Sequence, residues 1–129
     1  MASMQSILET ERFSIYYNTE TRVLRLDWDG FFRSEEYRKH LDYALEVFKK
    51  YRLKKWVNNM KNMSVISLQD QEWTNNDWLG RVLEAGILQM VNVTSDDVFH
   101  QVSMRNIQNY ANLCGLRWQN IDKLEKEYC

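Results

Sequence analysis

Apolar and polar positions alternate near the start of the chain, then recur at three- and four-residue spacing, and the two periods change places several times. Alternation is the mark of a strand with one buried face, and the longer period that of an amphipathic helix. The stretch from Lys54 to Val93 holds one full cycle. Trp56-Val-Asn-Asn-Met60 is of strand length, a polar joint follows, a helical pattern runs from Ser67 through Trp73, Trp78, Leu79, Val82 and Leu83, and Ile87 to Val93 is a nearly continuous apolar run. Two strands joined through a helix lie parallel, with a right-handed crossover, so this unit organises the rest.

Upstream, Ile7 to Thr10 and Phe13 to Tyr17 read as strands. Asn18 to Thr21 is a polar turn, and Val23 to Gly30 carries Leu24, Leu26 and Trp28 on one face against Val23, Arg25 and Asp27 on the other, which predicts an antiparallel hairpin with one solvated side. Ser34 is the expected N-cap of the first helix, with Glu35 and Glu36 in its first turn. Tyr37, Leu41, Ala44, Leu45 and Phe48 form its apolar stripe.

Ser67 with Asp70 three residues on fits a capping box for the second helix, which Gly86 ends. Thr94-Ser-Asp-Asp opens the third, with Ser95 or Asp96 as cap and Gly115 as terminator. Leu116 to Ile121 predicts a short last strand, and Asp122 to Tyr128 one or two helical turns. The expected architecture is a single α/β domain over residues 1–129: a mixed sheet with antiparallel strands first, β-α-β-α units after, and the helices mainly on one face.

Composition agrees with a globular chain and narrows its partners. In 129 residues, 44% are hydrophobic, 13% aromatic and 27% charged, enough for one self-sufficient core. A net charge of -1 gives no basic field for nucleic acid. No run approaches the ~18 apolar residues of a membrane span, and Met1 to Thr10 lacks a leader pattern, so a cytoplasmic protein is expected. Cys114 and Cys129 lack metal-ligand spacing and read as free thiols.

The order of elements, with the Leu24-Arg-Leu-Asp-Trp-Asp-Gly strand, the Ser34-Glu-Glu-Tyr-Arg helix start and Trp56-Val-Asn-Asn-Met followed by Ile66-Ser-Leu-Gln-Asp-Gln-Glu-Trp, resembles the SpoIIAA-like fold of STAS domains and small bacterial STAS/SEC14-like proteins. The resemblance extends to Val91-Asn-Val and the Phe99 helix. It implies a non-catalytic binding or regulatory module. Anti-sigma factor antagonists of that fold are phosphorylated on a Ser in an Asp-Ser-Ser-Gly-like motif; here Ser64 and Ser67 are the only hydroxyls in the matching loop, and no such motif surrounds them. Where the group usually ends its strand in Asp, this chain has Asn58 and Asn59.

The residues themselves offer no nucleophile with a base, no metal cluster and no glycine-rich phosphate loop, so neither catalysis nor a cofactor is expected. His40 and His100 read as solvated, and Asp27 and Asp29 as hairpin charges. Five Trp, seven Tyr and five Phe supply a core, a pocket or an interface. Trp28, Trp56 and Phe48 are assigned to the core. Trp73 and Trp78 stand roughly 140° apart on an ideal helix, so one stripe cannot bury both, and one is a candidate pocket wall or partner surface.

A site is expected where the two parallel strands end. There Asn58, Asn59, Ser64 and Ser67 meet Asn92, Thr94 and Ser95, beside two helix N-termini whose free N–H groups favour an anion. The partner is an unknown protein, a second copy in a homodimer, or a small apolar or anionic ligand.

Overall fold

The computed structural model describes residues 3–129, so Met1 and Ala2 of the N-terminal stretch lie outside the described residues. Six strands form one sheet in the order β1-β2-β3-β4-β5-β6: β1 (Gln5–Glu9), β2 (Phe13–Asn18), β3 (Val23–Gly30), β4 (Lys55–Met63), β5 (Gln89–Val93) and β6 (Trp118–Ile121). The first three pair antiparallel and β3 to β6 pair parallel. Sheet order follows chain order because each parallel step is bridged by a helix: α1 (Ser34–Lys50), a rod made of α2 (Leu68–Trp73), a π-turn (Thr74–Trp78) and α3 (Leu79–Glu84), and α4 (Val98–Leu113). Among the described residues no helix is long and apolar enough to cross a membrane.

All three helical layers pack on one face of the sheet. Tyr37, Leu41, Ala44, Leu45 and Phe48 of α1, Trp78, Leu79 and Val82 of the rod, and Ile107 and Ala111 of α4 share a core with Leu24, Leu26, Trp28, Trp56 and Met90. The expected stripe of α1 is therefore the buried one. On the opposite face Val23, Val57 and Val91 form a second, smaller core closed by Tyr128, with Ile121 and Leu124 beside it. Arg25 donates to the Tyr128 carbonyl at 3.0 Å and Lys55 Nζ to its hydroxyl at 3.2 Å, which holds the C-terminal segment against that face. This cover explains why β5 is buried on both sides.

Several local expectations are corrected. Arg33 caps α1, and Ser34 instead donates its hydroxyl to Asp70 Oδ2 at 3.0 Å, because the buried Asp70 carboxylate needs donors from both helices. Ser67 donates to the same oxygen at 3.0 Å and Arg38 Nε to Oδ1 at 3.1 Å. The stretch after Met60 is no loop at first: β4 continues to Met63, pairing with β3 across a register shift between Asp27 and Asp29. The cap of α4 is Asp97, whose carboxylate accepts from the Phe99 and His100 N–H groups, whereas Ser95 donates to the Met63 carbonyl at 2.8 Å. The last segment makes a single 3₁₀ turn, Lys126–Tyr128. The terminating glycines Gly86 and Gly115 take φ of +87° and +84°, the left-handed position that closes a helix.

The π-turn resolves the tryptophan question. Leu79 N–H reaches back five residues to Thr74 O, and a turn of that size brings residues five apart nearer one face than a 3.6-residue period allows. Thr74 Oγ1 donates to Asp70 O at 2.7 Å, which leaves its lone pairs to accept the Tyr37 hydroxyl at 2.7 Å. Trp78 is buried, edge-on to Trp56 at 5.0 Å with its Nε1–H on Leu41 O at 3.3 Å. Trp73 stays half-buried, with the guanidiniums of Arg38 and Arg81 at 5.3 and 5.7 Å from its ring centre.

Candidate functional site

Strand alternation puts Trp56, Asn58 and Met60 on the helix-covered face of β4, and register places Asn58 beside Asn92 on β5 and Asn92 beside Asn120 on β6. An asparagine row thus crosses three parallel strands under the helices. A bare amide at such depth costs free energy unless it is hydrogen-bonded. Asn58 is met on both sides: its Oδ1 accepts the indole N–H of Trp28 at 3.2 Å and that of Trp56 at 3.1 Å, and its Nδ2 donates to Asn92 Oδ1 at 3.0 Å. Asn120, exposed on the edge strand, accepts from Trp118 Nε1 at 2.9 Å and donates to Gln108 Oε1 at 3.1 Å.

These bonds leave the orientation of Asn92 no choice. An indole only donates, so the atom of Asn58 facing the two tryptophans is its oxygen and the atom facing Asn92 its nitrogen. Asn92 must answer with oxygen, and its NH₂ faces away from β4. That NH₂ is buried and has no partner among the described residues, while Asn92 itself is 2% exposed.

The amide lines a cleft of about 270 Å³ between the ends of β5 and β6 and the first three turns of α4. Its apolar side chains are Met60 and Met104, and its polar lining includes His100, Arg105 and Gln108. His100 is 1% exposed, and neither ring nitrogen has a partner among the described residues. Burial pushes its pKa down to about 4, against the pull of the nearby Asp97 carboxylate, so the ring is neutral at pH 7. The expectation of a solvated His100 is overturned, because the third residue of α4 faces the sheet rather than water. Two polar side chains at 1–2% exposure, both with unspent hydrogen-bonding capacity, therefore line one cleft.

Of the residues expected at this edge, Asn92, Thr94 and Ser95 line the cleft and Asn58 lies one hydrogen bond behind it. Asn59 points to the other face of the sheet, its Oδ1 near Lys61 N at 3.4 Å. Ser64 is half-buried and tied by its N–H to Gly30 O. Ser67 caps α2 as expected, accepting from Asp70 N and donating to Asp70 Oδ2 at 3.0 Å; a phosphate there would press against that buried carboxylate. Trp73 and Trp78 contact α1 and the core, not the cleft. Of the helix N–H groups expected to attract an anion, that of Asp70 at α2 is met by Ser67 and those of Phe99 and His100 at α4 by Asp97.

His100, Met60, Met104, Arg105, Gln108 and Asn120 were not foreseen. One signal for the row was present: Trp56-Val-Asn58, Met90-Val-Asn92 and Trp118-Gln-Asn120 repeat a large residue, a spacer and an asparagine in three strands. Compared with known proteins, the chain matches no family model, no curated protein and no solved structure.

Proposed function

We propose that this chain is a non-catalytic binding module that takes a small molecule in the cleft beside Asn92 and His100, and that its kinship is with STAS-type, SpoIIAA-like domains. The observation that carries the reading is the Asn92 NH₂, aimed by the Trp28–Asn58–Trp56 bonds and left without a partner among the described residues. A buried donor in that state costs about 1–3 kcal/mol, which a ligand acceptor or an ordered water recovers. A small ligand is favoured over a protein partner because both unspent groups lie at the bottom of a concave site, out of reach of a flat surface. Burial makes His100 a weak base, which favours hydrogen bonding over proton abstraction. The mixed sheet with α1, the α2–α3 rod and α4 on one face supports the STAS-type reading.

A fragment screen by saturation-transfer NMR, run on the wild type and on Asn92→Asp, tests the binding claim. Asn92→Asp keeps the oxygen that Asn58 needs and replaces the NH₂ with an acceptor. Hits that the variant loses support the module; hits equally bound by both, or none at all, oppose it.

A further inference from the structure

We propose that the cleft's ligand is a small monocarboxylate with an apolar body, its carboxylate met by the Asn92 amide and the Arg105 guanidinium and its body lying on Met60 and Met104. The inference rests on the binding reading above and names its ligand class.

Unspent capacity around the cleft decides the head group. Asn92 offers two N–H groups, and Gln108 offers its NH₂ because its oxygen already accepts from Asn120. Arg105 is the one charged side chain of the lining, lies exposed at the rim and makes no ion pair among the described residues. Gln101 adds its oxygen and one N–H, the other N–H of its Nε2 going to Ser95 O at 2.8 Å. His100, neutral at pH 7, contributes one donor and one acceptor. Donors are in excess and the net charge is that of one cation. A carboxylate, acceptor-only and singly negative, fits both counts, and its two coplanar oxygens suit a guanidinium fork on one side and an amide on the other. A phosphate dianion would leave one charge unanswered, an ammonium would face Arg105, and an alcohol would leave most donors bare.

The body follows from the floor. Met60 and Met104 line both this cleft and an inner cavity of about 20 Å³ bounded by Trp28, Trp78 and Trp118, so the two thioethers are the partition between them. Methionine is unbranched and readily changes rotamer, which lets a chain of a few carbons press between the pair. The inner cavity alone holds no more than about one water, so the apolar part must be short.

The test titrates the full chain with straight-chain monocarboxylates from acetate to octanoate, with the matching primary alcohols and with inorganic phosphate, following the Asn and Gln side-chain amide resonances. Affinity is expected to rise about fourfold per methylene over the first members and then level off as the space between the methionines fills. Alcohols should bind at least about tenfold more weakly, Arg105→Gln should lower acid affinity about tenfold, and Asn92→Asp should abolish it while its urea midpoint shows a folded protein. Alcohols or phosphate equalling the acids, or an Arg105→Gln protein that binds acids unchanged, would overturn the assignment. Non-acidic fragments bound in an Asn92-dependent way, with acids excluded, would overturn it and leave the binding module standing; no ligand of any class shifting the Asn92 amide would sink both.

Discussion

Asn58 donates its amide hydrogen to Asn92 Oδ1 at 3.0 Å across two parallel strands, and this single bond fixes which end of Asn92 the cleft sees. Behind it stand two indoles whose N–H groups can only donate. The core therefore sets the chemistry of the site: tryptophans orient Asn58, and Asn58 orients Asn92.

The two asparagines should respond differently to removal. Asn58→Leu strands two buried indole N–H groups and the Asn92 oxygen, with an expected loss of about 3–5 kcal/mol. Asn92→Leu strands only Asn58 Nδ2 and removes an unpaired NH₂, so its loss should be about 2 kcal/mol or less. Urea unfolding followed by tryptophan fluorescence measures both; equal losses would contradict the arrangement. A residue that stability hardly needs, yet that the core holds rigidly, is the pattern expected of a binding group.

Much of this fold was legible in the sequence because its signals are local. The stripe Tyr37, Leu41, Ala44, Leu45, Phe48 and the terminators Gly86 and Gly115 needed only neighbours within a turn or two. The parallel pairing of β4 and β5 followed from the length of the connection between them. The edge holding Asn92, Thr94 and Ser95 was legible too. What escaped depends on contacts distant in sequence. Ser34 is 36 residues from the Asp70 that claims it, and His100 looks like any polar residue in a first turn until the sheet beneath it is known. Trp78 was ambiguous because a helical wheel assumes one period, and the π-turn changes it.

His100 makes stability depend on pH with a defined sign. Burial holds its folded pKa at about 4, below the ordinary 6.5, so the unfolded chain binds the extra proton between those values. Stability is full above pH 6.5 and falls as the pH drops toward 4, by about 3 kcal/mol across the window. Urea midpoints from pH 4 to 7 should show this slope in the wild type and a shallower one in His100→Gln; parallel slopes would show that the ring is not held neutral.

Asp70 ties α2 to α1 through Ser34 and Arg38, and Ser67 at the start of its own helix donates to the same carboxylate. Asp70→Asn leaves the Arg38 guanidinium without its carboxylate, but Arg38 is one-third exposed and water answers part of the loss. The expected cost is about 1–3 kcal/mol, read by thermal unfolding, and it should shrink when Arg38→Gln is added, since the two substitutions remove one shared contact.

The Asn92 NH₂ is the group a ligand should meet first. Its most direct measurement is the side-chain amide pair of Asn92 in a nitrogen-15 correlation spectrum, assigned through Asn92→Asp and recorded with and without the best hit from the screen. On binding, this pair should shift and exchange more slowly with solvent, while the Asn58 pair, locked between two tryptophans and Asn92, should barely move. A ligand that leaves the Asn92 pair in place and instead moves resonances of the exposed apolar residues Leu68 and Phe99 would contradict it.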